Sequence, residues 1–318
     1  MKILITGIHG FVGSNLVNAL MGGNTIYGLD IIAPDKDGVA QTYSWSDLDN
    51  DTIPEVDAIV HLAGKAHDTK NKSGADVYFK VNTDLTKKIF DYFSKKPNIK
   101  KFIFFSSVKA AVDKVPGDIL TEDVMPCPVG PYGESKVRAE EYILSKFNGE
   151  SELYKDKDVI ILRPCMIHGP GNKGNLNLLY GFVKKGLPWP LGAFDNRRTF
   201  TSIDNLTFVI DGLLTKQIES GIYNMADDDA LSTNELIEVM CSAMGNKSKI
   251  VSISKGLIKF MARTGDLLHL PLNSFRLDKL TENYVVSNNK IKRALGIKRM
   301  PVDAKVGLTK TIKSFQNQ

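Results

Sequence analysis

The sequence predicts an α/β fold, a doubly wound parallel sheet with a smaller C-terminal substrate-binding lobe, on three observations. Short apolar runs alternate with longer segments of helical spacing through the first half of the 318 residues. A glycine-rich turn follows the first apolar run at once. Beyond Arg163 the texture changes, with Gly169-Pro-Gly and Leu187-Pro-Trp-Pro-Leu-Gly192 punctuating the chain and longer polar segments between helices. At roughly 150 residues per domain the length suits about two such units.

Taken in order, strands are expected at residues 2–6, 25–29, 58–63, 101–107 and 159–163, with a weaker one at 42–45. Most are apolar throughout, as strands covered on both faces must be. Helices are expected at 11–21, 81–93 and 136–147, where apolar residues recur at helical spacing. In the second lobe Ser232-Thr-Asn-Glu235 is a capping box ahead of a helix over 236–244 that Gly245 ends. The lysine-rich stretch 290–313 is mixed with apolar residues and reads as helix surface.

Composition narrows the function classes. With 24% charged and 42% hydrophobic residues, 26 Gly, 13 Pro and 3 Cys, the chain is neither disordered, collagen-like nor a disulfide scaffold. The 41 basic residues outnumber 36 acidic ones by a margin of +5 and are scattered among them, so no nucleic-acid footprint is expected. Cys127, Cys165 and Cys241 lack C-x-x-C spacing, and the histidines (9, 61, 67, 168, 269) lack ligand spacing, so neither a disulfide framework nor a metal site is expected. No apolar stretch reaches about 18 residues and the N-terminus enters a strand directly, which predicts a cytoplasmic protein without a membrane partner.

The chemistry begins in Thr6-Gly7-Ile8-His9-Gly10-Phe11-Val12-Gly13, placed between a strand and a helix. Gly7 permits a tight turn, Gly10 lets the backbone approach a pyrophosphate, and Gly13 lets the helix pack closely, with the helix N-terminus facing the phosphates. This is a Rossmann-type placement. Asp30, 17 residues beyond Gly13 at the end of the second strand, is positioned to bind the ribose hydroxyls and repel a 2′-phosphate, which predicts NAD rather than NADP. Asp47 and Leu48 either contact the adenine or, for Asp47, cap a turn. His61-Leu62-Ala63-Gly64-Lys65 ends the fourth strand where a sheet edge meets cofactor, with His61 read as a packed histidine and Lys65 as a substrate-side candidate.

Ser106 and Ser107 end the 101–107 strand at the carboxyl edge of the sheet. Pro131-Tyr132-Gly-Glu-Ser-Lys136 then puts a phenol and an ammonium at i and i+4 on one helix face. A free tyrosine, with a pKa of about 10, is a poor base at neutral pH unless nearby cations stabilise the phenolate. Lys136 supplies one.

At this point the chain resembles the extended short-chain dehydrogenase/reductase family, in particular its nucleotide-sugar epimerase group. The resemblance covers nearly the whole length and rests on the glycine loop, Asp30, His61-Leu-Ala-Gly64, Asn82, Ser106-Ser107, Tyr132-x-x-x-Lys136 and Leu162-Arg-Pro-x-x-x-x-Gly169-Pro. It implies that Tyr132 is the acid/base, Ser107 binds the sugar hydroxyl and Lys136 holds the nicotinamide ribose. It further implies Phe11 and Val12 at the pyrophosphate, and Asn82 and Pro164 beside the nicotinamide. In the second lobe, Asn175, Leu176 and the segment 196–204 look like UDP-binding stretches, with Arg197 the first choice for the diphosphate and Arg198 and Arg276 weaker ones.

The resemblance thus implies an NAD-binding Rossmann domain at 1–165 and a mainly UDP-sugar-binding lobe at 166–318, with 200–228 returning to the core. A homodimer through 81–93 and 136–147 is implied as well, although Ile89, Phe90, Tyr92, Phe93, Tyr142 and Ile143 serve equally as monomer core. Two departures matter. Ala110-Ala111-Val112 replaces the Val-Tyr-Gly common after the catalytic hydroxyl, and Val108-Lys109 stands where dehydratases carry Asp-Glu, which disfavours dehydration. The segments around Lys173 and Pro188 look most like a subgroup of bacterial surface-polysaccharide synthesis. A UDP-hexose or UDP-N-acetylhexosamine 4-epimerase is therefore the leading expectation, with a UDP-4-keto-sugar reductase and a non-catalytic NAD sensor as rivals.

Overall fold

A computed structural model describes residues 1–65, 74–149, 151–172, 174–268, 270 and 273–316. His67, Lys173 and His269, which figured in the sequence reading, lie outside the described residues. The first half runs β1 (Lys2–Thr6), α1 (Phe11–Leu20), β2 (Thr25–Leu29), β3 (Gln41–Tyr43), α2 (Trp45–Asp49) and β4 (Ala58–His61). It continues with α3 (Ala75–Tyr78), a π-helical segment (Phe79–Asp84), α4 (Leu85–Lys95), β5 (Lys101–Phe105), α5 (Val108–Ala111), α6 (Gly130–Gly149) and β6 (Asp158–Pro164). The second half holds β7 (Met166–His168), α7 (Asn175–Lys184), β8 (Phe200–Ser202), α8 (Ile203–Thr215), β9 (Gly221–Met225) and α9 (Thr233–Ala243). It closes with α10 (Lys255–Leu268), α11 (Ser274–Thr281), α12 (Asn289–Leu295) and α13 (Ala304–Gln316).

Seven strands form one parallel sheet in the order β3-β2-β1-β4-β5-β6-β9. Alternation along each strand divides the sheet between two cores. Ile3, Ile5, Val60, Ile103 and Leu162 face α1, α8 and α12. Leu4, Ile59, Phe102, Phe104 and Ile161 face α4 and α6. Both faces are buried, which is why the strands read as continuous apolar runs rather than as alternating ones.

The second half is not a separate block. Its strand β9 pairs with β6, and α8 and α12 bury Leu206, Val209, Ile291 and Leu295 in the first core. A distinct lobe core gathers Leu176, Trp189, Leu236, Met240, Ile258 and Leu308.

Several elements differ in extent from expectation, three of them for a clear local reason. Strand β5 stops at Phe105, because Ser107 turns to cap α5, its hydroxyl accepting from the Lys109 N–H at 3.2 Å. Helix α6 starts at Gly130, six positions early, so Tyr132 sits in its first turn, next to a proline suited to a helix start. The 81–93 helix is the end of a longer run broken by the π segment, which hydrophobic spacing does not signal. Of the side chains considered for a dimer, Ile89, Phe90, Phe93 and Ile143 are fully buried inside one chain, leaving Tyr92 and Tyr142 half-buried.

Glycines hold the sheet switch point together. Gly7 has φ +69°, and a Cβ there would lie 2.9 Å from the Ala63 backbone. A Cβ on Gly13 would stand 2.5 Å from the Gly7 carbonyl oxygen and 2.8 Å from that of Ile8. A Gly13→Ala variant is therefore expected to lose about 1–3 kcal/mol of stability in chemical denaturation. A Gly10→Ala variant, whose Cβ meets only the Gly7 oxygen at 3.1 Å, is expected to lose less than half as much; equal losses would contradict this packing.

Candidate active site

Where β1 and β4 part, the sheet order reverses and the glycine loop closes over the gap. Gly10 is the N-cap of α1, and no side chain caps it, so the first N–H groups of that helix are presented across a residue without a Cβ. Asp30 lies beside this turn, one carboxylate oxygen accepting the His9 N–H at 3.1 Å and the other the Ile31 N–H at 2.8 Å. His9 Nε2 is buried without a hydrogen-bond partner among the described residues. Phe11 and Val12 are half-buried and lean on the first core. A bare glycine, open helix N–H groups, an orphaned buried nitrogen and an acid at the second strand end together suit a dinucleotide.

Behind the loop runs a buried polar chain. Thr6 Oγ1 meets His61 Nδ1 at 2.7 Å, His61 Nε2 meets Thr86 Oγ1 at 2.9 Å, and Thr6 Oγ1 also accepts the Ala63 N–H at 3.0 Å. Burial, and then the Lys136 charge, push the His61 imidazole down to about 3, so it stays neutral and serves to pack, as the sequence reading held.

The catalytic candidates converge at the carboxyl ends of β4 and β5. Ser107 and Tyr132 share a hydrogen bond. Lys136 is buried, its ammonium donating to the Phe105 carbonyl at 2.7 Å and standing 4.9 Å from the Phe104 ring centre. A Cβ on Gly64 would come within 3.1 Å of Lys136 Nζ and 3.0 Å of Asn82 Oδ1, so a side chain here would crowd both groups. Burial lowers Lys136 to about 8, opposed by the Glu140 carboxylate. Burial likewise raises Tyr132, the Ser107 hydrogen bond pulling it back and Tyr78, edge-on at 6.4 Å, adding to the rise. The chain alone therefore keeps the phenol protonated, in its proton-donating form.

Several predicted residues do other work. Asn82, on the π segment, spends its amide on the Lys65 backbone (2.7 Å to N, 3.1 Å to O) and on Ser135 Oγ at 3.0 Å, clamping the β4 loop to α6. Lys65 Nζ lies 5.7 Å from the Tyr78 ring. The Ser106 hydroxyl donates to Glu140 and is not free for a cofactor. Asp47 closes a capping box with Ser44 through Oδ2, and the Leu48 side chain is in the core. Pro164 ends β6 beside Met225.

In the second lobe, Asn175 and Leu176 open α7, with the Leu176 side chain buried in the lobe core, so only its backbone can meet a ligand. Arg197 is exposed and donates to the Ala230 carbonyl at 2.8 Å. Arg276 is exposed on the first turn of α11. Arg198 is committed to the Lys279 carbonyl and to Glu282, each at 2.9 Å, and is structural. Val108 is buried and Lys109 is held by Asp113 at 2.9 Å and by the Tyr284 ring at 4.5 Å, so no acid pair follows Ser107.

Glu140 and Arg163 are the residues that sequence reading missed. The Arg163 guanidinium grips the Glu140 carboxylate with Nε at 2.9 Å and Nη2 at 2.5 Å, both side chains at most 2% exposed. The available signal was Tyr132, Lys136 and Glu140 recurring every fourth residue.

The family model described as "NAD dependent epimerase/dehydratase family" matches residues 3–226. A UDP-glucose 4-epimerase of Vibrio cholerae is 28% identical over 333 aligned positions, covering 99% of this chain and 95% of the relative. An N-acetyl-alpha-D-glucosaminyl-diphospho-ditrans,octacis-undecaprenol 4-epimerase of Escherichia coli O157:H7 is 27% identical, covering 77% of this chain and 73% of the relative. Among solved structures, UDP-glucose 4-epimerase from Thermotoga maritima with UDP-glucose superposes with a TM-score of 0.76 at 20% identity, covering 100% of this chain and 99% of that one. That similarity establishes the shared fold.

Turnover is expected to fall as pH rises through about 8, where Lys136 loses its proton. Because the Glu140 charge raises Lys136, a Glu140→Gln variant should move that alkaline limb to lower pH and, by breaking a buried pair, cost about 3–5 kcal/mol of stability. A pH–rate profile with an unmoved limb contradicts the coupling.

Proposed function

The chain belongs to the NAD-dependent epimerase/dehydratase family and is an enzyme that uses NAD, and we propose that it is a nucleotide-sugar 4-epimerase acting on a UDP-hexose or UDP-N-acetylhexosamine. The observation that carries the reading is the Ser107–Tyr132 hydrogen bond, with buried Lys136 one helical turn behind Tyr132 and no acid–base pair after Ser107. The V. cholerae relative, matched over nearly its full length, supports the choice of reaction.

In this reading NAD supplies the acceptor for the hydride of carbon 4 and a positive ring charge near the phenol. Gly7, Gly10, Gly13 and Asp30 bind it, with Lys136 toward its ribose. Tyr132, as phenolate, takes the proton of the carbon-4 hydroxyl, and Ser107 holds that oxygen through a hydrogen bond. On return the phenol gives the proton back, so Tyr132 ends as it began. Exposed Arg197 and Arg276, with the backbone at Asn175 and Leu176, are assigned to the diphosphate. Cys127, Cys165 and Cys241 are unpaired, and a reducing cytoplasm is the assigned compartment. A homodimer through α4 and α6 is assigned on the family resemblance alone, while the large apolar side chains Ile89, Phe90, Phe93 and Ile143 of those helices are spent within one chain.

Purified protein without added reductant is expected to interconvert UDP-glucose with UDP-galactose, or their N-acetyl counterparts, and to release NAD on denaturation. No interconversion of either pair, combined with NADH consumption on a UDP-4-keto sugar, would establish a reductase instead. NAD release without either activity would point to a sensor.

A further inference from the structure

Helix α10 turns a broad apolar face to solvent, and we propose that it docks the protein on an anionic lipid bilayer, lying in the interface parallel to the surface. Three sectors run along the helix. Ile258, Ala262 and Gly265 are buried and hold it against the lobe. Leu257, Phe260, Leu267 and Leu268 share a second sector roughly 100° wide. These are far from incidental exposures, with Phe260 at 68% and Leu267 at 79%. The third is a row at four-residue spacing, Lys255, Lys259 and Arg263, all exposed and flanking the apolar sector.

Charge complementarity selects the occupant. The helix has one acid, Asp266, and its carboxylate is turned to α11, accepting the Ser274 N–H at 2.9 Å and the Ser274 hydroxyl at 2.5 Å. What faces out is thus cationic along one edge and apolar beside it. Phenylalanine and leucine sink to the acyl boundary while lysine and arginine stems reach back to phosphate headgroups. Helix α11, packed on α10, adds Phe275 at 70% exposure. A contiguous apolar sector bordered by three cations calls for an explanation that scattered exposed leucines do not.

Attachment is peripheral, because no helix among the described residues is long and apolar enough to cross a membrane. The sequence reading expected no membrane partner, and the proposal departs from that expectation. A span and a surface helix leave different marks, and a long apolar run signals only the first. The proposal does not depend on which sugar the site takes.

Co-sedimentation of the full chain with vesicles of phosphatidylglycerol and phosphatidylcholine tests it. Binding is expected at low salt, weakened by added salt, and about fivefold weaker for each cation removed. Lys259→Glu with Arg263→Glu, and separately Phe260→Ser with Leu267→Ser, should each abolish it while leaving the thermal midpoint and bound NAD unchanged. The proposal is overturned by no binding to anionic vesicles, by equal binding to pure phosphatidylcholine, or by either double variant binding as the parent does. Self-association through this face that the Phe260/Leu267 variant removes, with no vesicle binding, assigns the face to a second copy and overturns it too.

Discussion

The site depends on one buried carboxylate. Glu140 of α6 accepts from Arg163 of β6 at two points and from Ser106 just beyond β5, so one side chain ties the helix that carries Tyr132 and Lys136 to two adjacent strand ends. Dry ion pairs rarely add net stability, because each charge must leave water, but they are unforgiving of displacement. Here that intolerance sets the rotation and axial position of α6. With Glu140 fixed, Lys136 and Tyr132, one and two turns earlier on the same face, are delivered to the Phe105 carbonyl and to Ser107. The placement of Tyr132 and Lys136 is thus inherited from a contact one or two turns away from them.

The same arrangement explains the electrostatics. Lys136 is stripped of water on all sides and keeps its charge near neutral pH because a carboxylate lies four residues on and a carbonyl accepts its proton. Tyr132 has no comparable relief inside the chain: burial and Tyr78 hold its proton on, and only Ser107 opposes them. A buried, protonated phenol opposed only by Ser107 is a resting state that changes when a positive charge arrives, which is what an oxidised nicotinamide brings. Asn82 contributes by holding the Lys65 backbone and Ser135 together, and the π segment beneath it is the kind of local break in a helix that recurs at functional sites.

Much of this was legible in the sequence where a residue type is demanded by close approach or by chemistry. Gly7 and Gly13 are required by contacts under 3 Å, and the strands by burial on both faces, so spacing and composition revealed them. Ser107, Tyr132 and Lys136 were legible because a strand end and a helix face place them together. Spacing could not show one thing: a polar residue in a suggestive motif can also be used by the fold. Ser106, Asp47 and Arg198 stand where ligands were expected, yet they bond to Glu140, Ser44 and Glu282. Leu48 and Leu176 lie in motifs but point into cores. Partners distant in sequence cannot be read from one chain's spacing, so although Glu140 shares the face of Tyr132 and Lys136, its pairing with Arg163 was not legible. The exposed apolar sector of α10 makes no long apolar run and shows only at helical spacing.

The central claim is that Tyr132 moves the proton while the neighbouring residues only hold cofactor and substrate. Turnover of a Tyr132→Phe variant, measured beside its bound NAD, tests this most directly, since the change deletes one hydroxyl and leaves the Tyr78 ring contact and Lys136 in place. The account predicts an undiminished NAD content with turnover reduced by at least about 100-fold. Turnover equal to that of the parent, with NAD still bound, would contradict it.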